Sequence, residues 1–189
     1  MIGDNFSGLQ FQTFYTSREV SSCPLIPEIV RIAKKFDELK LYENISETVI
    51  SLRYGRRLVT NSAGSNFVKI NIDDILEIVD YDPIKRVMLV IGPKEPKLQT
   101  PVHWLICHAK KEINTIIQIK NSELAESLKE KLPTTKKDEN VGILEQAKDI
   151  LFNLRNGNEV VLKNNGLLFV ANNLKDVENK ILSSLEQIK

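Results

Sequence analysis

The stretch INTIIQIKNSELAESLKEKLP at residues 113–133 shows how strands and helices alternate in this chain. Its first seven residues, 113–119, are rich in isoleucine and threonine, which favours a strand. Leucine and alanine then recur at helical spacing until Pro133 ends the pattern. Glu123 and Glu126 lie near the expected start of that helix, where the helix dipole favours negative charge. A strand followed directly by a helix indicates a mixed α/β fold.

The same alternation extends from this stretch towards both ends of the chain. Strands are expected at residues 49–54, 57–60, 72–79, 87–91, 160–162 and 167–170, and helices near residues 26–39, 100–109, 143–154 and 174–188. Gly55 joins the first two strands tightly, which is typical of a hairpin, and residues 134–140 are expected to form a solvated loop. Residues 1–25 should form an arm or an edge strand, and residues 26–189 the main domain. These elements predict a sheet with helices on both faces.

The composition excludes several classes of protein. The 189 residues include 26 Lys and Arg against 25 Asp and Glu, and this net charge of +1 gives no indication of a nucleic-acid partner. No apolar run approaches the roughly 20 residues that a membrane span needs, and the N-terminus lacks the layout of a signal peptide. We therefore expect a cytoplasmic protein with neither a nucleic-acid nor a membrane partner. Two cysteines, Cys23 and Cys107, are too few for a disulfide framework.

The chain has only two histidines, His103 and His108, and both fall in one predicted helix. Neither is placed beside a strand-end nucleophile, as a Ser/His/Asp or Cys/His arrangement would require. His103 and Cys107 are four residues apart and share a helical stripe, but two ligands do not complete a tetrahedral metal site. Packing or a local hydrogen bond is the favoured interpretation of this pair. Glycine-rich nucleotide-binding motifs are absent from the sequence, so no cofactor is expected.

Four segments of the chain, read in order, carry a resemblance to a known family. They are SLRYG and LVTNS within residues 51–62 followed by IDDILEIVD at 72–80, QTPVH at 99–103, IIQIKN at 116–121, and VLKNNGLL at 161–168. The first set resembles the opening strands of the class II aldolase/adducin family. The other three are similar to its Ser-Ser-Glu-x-x-x-His, Val-Val-His-x-His and Leu-Leu-x-Asn-His-Gly-Leu segments. The resemblance covers about residues 26–189 and implies a three-layer α/β/α fold with a central, largely antiparallel sheet.

Enzymes of that family hold a catalytic zinc with three histidines and use the glutamate for proton transfer. The resemblance places Gln118, Lys120 and Asn165 at the ligand positions and Gln99 at the glutamate. Amide oxygens are weak zinc ligands, a charged lysine offers no lone pair, and an amide does not transfer protons near neutral pH. These departures predict a protein without a metal.

The resemblance also implies a partly retained phosphate-binding turn. Thr60 and Ser62 match a Thr-x-Ser-Gly turn of the family, in which Ala63 replaces the glycine unless the turn is one residue longer and uses Gly64. The hydroxyl groups of a threonine and a serine are suitable hydrogen-bond donors for a phosphate.

A lysine replaces hydroxyl groups in the next part of that phosphate site. Lys97 and Leu98 stand where the family has two serines, and Thr48-Val49 stands where it has a Gly-Asn loop, for which residues 44–46 are an alternative register. Lys97 would neutralise an anion by charge. A solvated loop lysine is nevertheless the favoured interpretation of Lys97.

Two functions remain open at this stage. The favoured one is a metal-free, non-catalytic protein that acts by oligomeric assembly or by binding a small phosphorylated or carbonyl ligand. Its candidate ligand contacts are Thr60, Ser62, Lys97, Gln118 and Asn165. The family resemblance further implies a homotetramer with its cleft between neighbouring subunits.

The alternative function is a divergent aldolase, lyase or epimerase that acts on a phosphorylated sugar. In that case Lys120 would replace the positive charge of the metal or form a Schiff base, with Gln99 as the second candidate catalytic residue. Each of these residues also has a non-functional interpretation. Lys120 could be a surface lysine at a strand end, and Asn165 a turn residue before Gly166.

Overall fold

Eight strands form one sheet in the residues described by this computed structural model, which are 10–138, 140–164 and 166–186. The strands are β1 (Gln12–Ser17), β2 (Val49–Tyr54), β3 (Arg57–Asn61), β4 (Ile75–Asp82), β5 (Val87–Ile91), β6 (Thr115–Lys120), β7 (Glu159–Leu162) and β8 (Gly166–Ala171). Their order across the sheet is β1-β5-β4-β3-β2-β6-β8-β7. β1 runs parallel to β5, and the other neighbours are antiparallel. The predicted largely antiparallel sheet is therefore confirmed.

Helices cover both faces of this sheet. They are α1 (Ile26–Glu38), α2 (Thr100–Ala109), α3 (Ser122–Leu128), α4 (Ile143–Asn153) and α5 (Leu174–Glu186). α1, α3 and α5 share one core with the sheet, in which Phe36 and Phe169 are fully buried. α2 and α4 share a second core on the opposite face, which includes Trp104 and Ile150. The predicted three-layer α/β/α arrangement is confirmed.

Strand β6 determines which side chains face which layer. Ile117 and Ile119 lie in the core of α1, α3 and α5, whereas Ile116 lies in the core of α2 and α4. Because side chains alternate along a strand, Gln118 and Lys120 project to the same side as Ile116. Two of the residues that the sequence singles out therefore face the layer formed by α2 and α4.

The hairpin of β2 and β3 and the turn after it follow the sequence closely. Gly55 has φ of 61°, which the tight turn between the strands requires. Gly64 has φ of 72°, so the polar turn after β3 places its glycine in the left-handed region one residue later than Ala63. The side chain of Asn61 fixes this turn, since its Oδ1 accepts from the Ile50 amide and its Nδ2 donates to the Ser65 hydroxyl.

Two of the expected strands begin later than the sequence indicates. The expected strand at residues 113–119 begins at Thr115, because Ile113 lies in the turn that precedes it. Residues 72–79 divide into a single helical turn, Ile72–Asp74, and strand β4. Asn71 explains that division: its side chain accepts a hydrogen bond from the Asp73 amide and caps the turn.

The expected solvated loop at residues 134–140 is wrong in its first part. We call residues 133–138 the strap; Glu139 lies outside the described residues. The Thr135 amide donates to the Val161 carbonyl at 2.9 Å, and the Thr135 side chain is only 5% exposed. The strap therefore continues the sheet beyond β7. A run of polar residues gave no sign of this, because the pairing partner is distant in sequence.

In the described part of the chain, no helix is long and apolar enough to cross a membrane.

Candidate ligand-binding cleft

A small cleft opens where β6 ends, α2 begins and the strap crosses the sheet. Gln118 lines it from β6, Gln99 from the residue that precedes α2, and Thr135 from the strap. Asp149 and Ile150 of α4 close the side opposite the sheet. The cleft has a volume of about 30 Å³, which is roughly the room that one or two water molecules occupy. It is polar at the sheet and at the start of α2, so it can receive a hydrogen-bonding group.

A buried histidine lies behind Gln118. His103 of α2 is 0% exposed, and its Nε2 lies 3.3 Å from Oε1 of Gln118. Its Nδ1 lies 2.9 Å from Oγ of Ser51, which in turn is 3.1 Å from Oγ1 of Thr60. Burial lowers the pKa of His103 to about 4, although the contact with Gln118 acts in the opposite direction. The ring is therefore neutral at physiological pH and has a partner on each nitrogen.

The two glutamines of the cleft are buried but not saturated with hydrogen bonds. Gln99 is 6% exposed and Gln118 is 5% exposed. The Gln99 side chain and the Nε2 atom of Gln118 form no hydrogen bond with any residue in 10–138, 140–164 and 166–186. Both amides are thus available to a ligand or to water in the cleft.

Lys120 lies beside this cleft but its amino group is engaged elsewhere. Its Nζ donates to the backbone carbonyl of Asn164, in the turn between β7 and β8. The same Nζ lies 3.8 Å from Oε2 of Glu47. Lys120 is partly buried, so it is not the plain surface lysine of the non-functional interpretation. It serves instead to tie the β7–β8 turn to the end of β6.

Lys97 occupies a position that the sequence does not suggest. Its side chain is 3% exposed, and its Nζ donates to the backbone carbonyls of Ile45 at 2.7 Å and Ser46 at 3.3 Å. The favoured interpretation as a solvated loop lysine is therefore wrong. Burial lowers the pKa of Lys97 from 10.5 to about 8. Among the described residues, no carboxylate forms an ion pair with it, so a buried positive charge stands there without a counter-charge.

Two buried hydroxyl groups belong to the segments next to Lys97. Ser62 is paired by a β-bridge with Pro96, and the Thr100 amide donates to the Lys97 carbonyl at 3.0 Å. Both side chains are 0% exposed. In the part of the chain that the structure describes, neither Ser62 Oγ nor Thr100 Oγ1 has a hydrogen-bond partner. A buried cation and two unsatisfied hydroxyls are the components that an anion would satisfy.

The candidate site residues therefore divide into two groups. Gln99 and Gln118 meet in the cleft, whereas Lys97 and Ser62 lie in the neighbouring turns. Thr60 lies in neither group, because its hydroxyl contacts Ser51. Asn165 lies outside the described residues.

Sequence reasoning missed Ser51, Thr100 and the role of His103. Ser51 pairs with Thr60 in the β2–β3 register, and a serine within an apolar strand was the only available signal. The bonds of His103 span 52 and 15 residues of sequence, so helical spacing alone does not reveal them.

The strap is held over the cleft by polar contacts. Asp149 Oδ2 accepts hydrogen bonds from the backbone amides of Lys136 and Lys137, each at 2.8 Å. Lys163 Nζ lies 3.5 Å from Asp138 Oδ2. Both carboxylates that line the cleft are therefore engaged in holding the strap.

The residues present do not fit the zinc ion that the family resemblance implies. Oε1 of Gln118 faces His103, and Nζ of Lys120 donates to a carbonyl group. Zinc requires ligands with a free lone pair, and imidazole, thiolate and carboxylate are its usual donors. Among the described residues, no three His, Cys, Asp or Glu side chains are grouped so that they could hold a metal ion.

The mixed α/β architecture, one large central sheet flanked by helices, matches the class II aldolase fold. The chain is similar to a solved L-fuculose 1-phosphate aldolase, with 18% identity over 89% of this chain and 84% of that one and a TM-score of 0.72. A sugar-phosphate aldolase from Thermotoga maritima is similar at 12% identity over 86% and 91%, with a TM-score of 0.70. The N-terminal class II aldolase domain of a conserved Thermoplasma acidophilum protein matches at 13% identity over 92% and 96%, with a TM-score of 0.63. No family model and no curated protein matches the sequence. The fold implied by the resemblance is thus confirmed.

Proposed function

We propose that this chain is a metal-free, non-catalytic protein of class II aldolase fold that binds a small phosphorylated or carbonyl ligand. The observation that carries the proposal is the state of the polar groups at the cleft. Gln99 and Gln118 have free hydrogen-bonding capacity, whereas Lys120 is engaged with the Asn164 carbonyl. Amides hold a ligand by hydrogen bonds but do not take or give protons near neutral pH. The cleft is therefore equipped for binding, and the two carboxylates of its described lining, Asp138 and Asp149, are engaged in holding the strap.

The anionic part of the ligand is assigned to Lys97, Ser62 and Thr100. A buried ammonium group without a carboxylate partner is destabilising on its own, and a bound anion would remove that penalty. The two unsatisfied hydroxyl groups would gain hydrogen bonds at the same time. Lys97 and Gln99 belong to the same turn into α2, and the proposal assigns the anionic part of the ligand to the Lys97 end of that turn.

The ligand must displace part of the protein in order to enter. Pockets for small molecules usually have volumes of about 300–1,000 Å³, and this cleft has about 30 Å³. The strap is the segment proposed to move: its ion pairs are largely exposed and contribute only about 0–1 kcal/mol, and its hydrogen bonds with Asp149 and Val161 must also break. We assign the opening of the cleft to the strap.

Assembly into a homotetramer and a location in the cytoplasm belong to the same proposal. They rest on the family resemblance and on composition. Static light scattering of the purified chain would detect a tetramer, and a monomeric mass would contradict this part of the proposal without affecting the ligand site.

Inorganic phosphate provides the direct test of the anion site. The melting temperature should rise with phosphate more than with chloride at equal ionic strength, because a ligand that binds only the folded state stabilises it. Lys97→Met should abolish this difference. Lys111→Met is the matched control, since Lys111 is an exposed lysine of the turn after α2. An equal phosphate effect in both variants would contradict the assignment to Lys97.

The alternative function is a divergent aldolase, lyase or epimerase in which Lys120 is a catalytic residue. A lysine that forms a Schiff base must present a neutral amine to the substrate. The contacts of Nζ with Asn164 and Glu47 do not favour that role. The non-catalytic proposal is therefore the better supported one.

A further inference from the structure

The position of the proton on the His103 ring is linked to the hydrogen-bonding group that Gln118 offers to a ligand in the cleft. The ring is fully buried and neutral, so only one of its two nitrogens carries a proton. Nε2 faces Oε1 of Gln118 at 3.3 Å, and a carbonyl oxygen can only accept a hydrogen bond. The proton must therefore be on Nε2, since two lone pairs would otherwise face each other.

The hydroxyl groups behind the ring agree with this tautomer. With its proton on Nε2, the ring has a lone pair on Nδ1, and the Ser51 hydroxyl at 2.9 Å can donate to it. Ser51 Oγ also lies 3.1 Å from Thr60 Oγ1, so the two hydroxyls form a buried pair behind the ring. Each of these residues is at most 5% exposed, so water does not compete for these bonds. The tautomer therefore rests on the contact between His103 Nε2 and Oε1 of Gln118.

Gln118 presents its amide oxygen to His103. Its oxygen is held by His103, and its NH₂ group is the part left for the cleft. Among the described residues, no acceptor is bonded to that NH₂ group, and the side chain is only 5% exposed. A donor that lines a cleft without a protein acceptor is available to an oxygen atom of a ligand or of water.

We infer that His103 is a positioning residue that turns Gln118 into a fixed hydrogen-bond donor, so that the cleft selects ligands by an acceptor oxygen of a carbonyl or carboxylate group. Gln99, whose amide also has no partner among the described residues, is the second contact for such a group. A cation would meet the positive end of the Gln118 amide and is rejected. This inference rests on the proposed function, because it specifies which part of the ligand lies in the cleft.

Nitrogen NMR of the unmodified protein tests the tautomer directly. In a ¹⁵N-histidine sample above neutral pH, His103 should be protonated on Nε2 and carry the lone pair on Nδ1. His108 is a built-in control of opposite sign, because its Nδ1 lies 2.8 Å from the Trp104 carbonyl and must donate to it. The spectrum of the His108→Gln variant assigns the resonances of the two histidine rings. A proton on Nδ1 of His103 would overturn the inference.

Ligand selectivity is tested with two small probes, formate and methylammonium. Formate offers acceptor oxygens and should shift the Gln118 side-chain amide resonance saturably, whereas methylammonium offers only donors and should not. Gln118→Glu keeps an oxygen towards His103 but replaces the donor with a negative charge, and Gln118→Met removes the amide at similar length. Both variants should lose the formate-dependent shifts of the Gln99 backbone amide.

The outcomes separate this inference from the proposed function. Formate binding that survives in both variants, or a saturable response to methylammonium, would overturn the role of Gln118. The phosphate effect at Lys97 would remain in either case, since it depends on a different group of residues. Loss of the phosphate effect with retained formate selectivity would instead contradict the phosphate assignment and leave the His103–Gln118 relationship intact.

Discussion

The Nε2 atom of His103 lies 3.3 Å from Oε1 of Gln118, and this contact joins helix α2 to strand β6 at the base of the cleft. The contact is a hydrogen bond between two neutral groups. Each nitrogen of the histidine faces a protein group. Burial lowers the pKa of this histidine, and the pH dependence of stability follows from that shift.

The free energy of unfolding should fall in mild acid because of His103. Its pKa is about 4 in the folded protein against 6.5 for an ordinary histidine. The unfolded chain therefore binds more protons between these values, and stability is lost as the pH falls from about 6.5 to 4. The loss should approach about 3 kcal/mol. Urea unfolding at pH 7, 5 and 4 measures it. His103→Gln should flatten this part of the curve and His108→Gln should not; the reverse pattern would contradict the prediction.

Replacing Lys97 should stabilise the protein while removing its anion response. Its pKa is about 8 when folded and 10.5 ordinarily, so the full cost of about 3 kcal/mol is present below pH 8 and disappears as the pH rises towards 10.5. Lys97→Met also loses two bonds to carbonyl groups, worth about 1 kcal/mol or more together.

We therefore expect Lys97→Met to be about 1–2 kcal/mol more stable at pH 7, with the gain shrinking by pH 10. Denaturant unfolding at both pH values gives the comparison, in which Lys111→Met should change stability by less than about 0.5 kcal/mol. A destabilised Lys97→Met variant at pH 7 would show that the buried charge has a partner within the protein.

Lys120 should not form a stable imine. Its Nζ donates to the Asn164 carbonyl and lies near Glu47, so a free amine is not presented to the cleft. Incubation with glycolaldehyde and borohydride, followed by peptide mass spectrometry, should leave Lys120 unmodified beyond the level at exposed lysines such as Lys111. Preferential reduction of an adduct at Lys120 would support the enzymatic alternative.

Removing the carboxylate of Asp149 should release the strap. Asp149→Ala leaves the Lys136 and Lys137 amides without their acceptor, and hydrogen bonds to charged groups contribute about 1.5–3 kcal/mol each. Hydrogen exchange at the Thr135, Lys136 and Lys137 amides should become at least tenfold faster. Glu145→Ala is the control, since it breaks only exposed ion pairs with Lys137 and Lys148. Equal acceleration in both variants would show that Asp149 does not hold the strap.

Periodicity in the sequence predicted most of the fold. The spacing of Ile26, Ile29, Ala33 and Phe36 placed α1 correctly, because those side chains do form its buried face. Gly55 likewise located the hairpin. Such features depend on neighbours in sequence, and a pattern along the chain therefore contains them.

The contacts at the site were less predictable. Lys97 was expected in solvent because its own segment is polar, but its burial depends on residues 45 and 46, which are about 50 positions away. Thr135 was misplaced for the same reason, since its partner is Val161. The family resemblance located Gln99 and Gln118 in one cleft, whereas the role of Ser51 required the packing of α2 on β2.

The parallel pairing of β1 with β5 has a consequence for how the chain folds. Gln12 is aligned with Val87 and Ser17 with Ile91, so the earliest described strand to leave the ribosome has no partner until β5 has also emerged. Contacts between such distant residues form slowly. The antiparallel ribbon from β2 to β5 can assemble first from adjacent segments, and the N-terminal strand then docks on its outer edge as a late step.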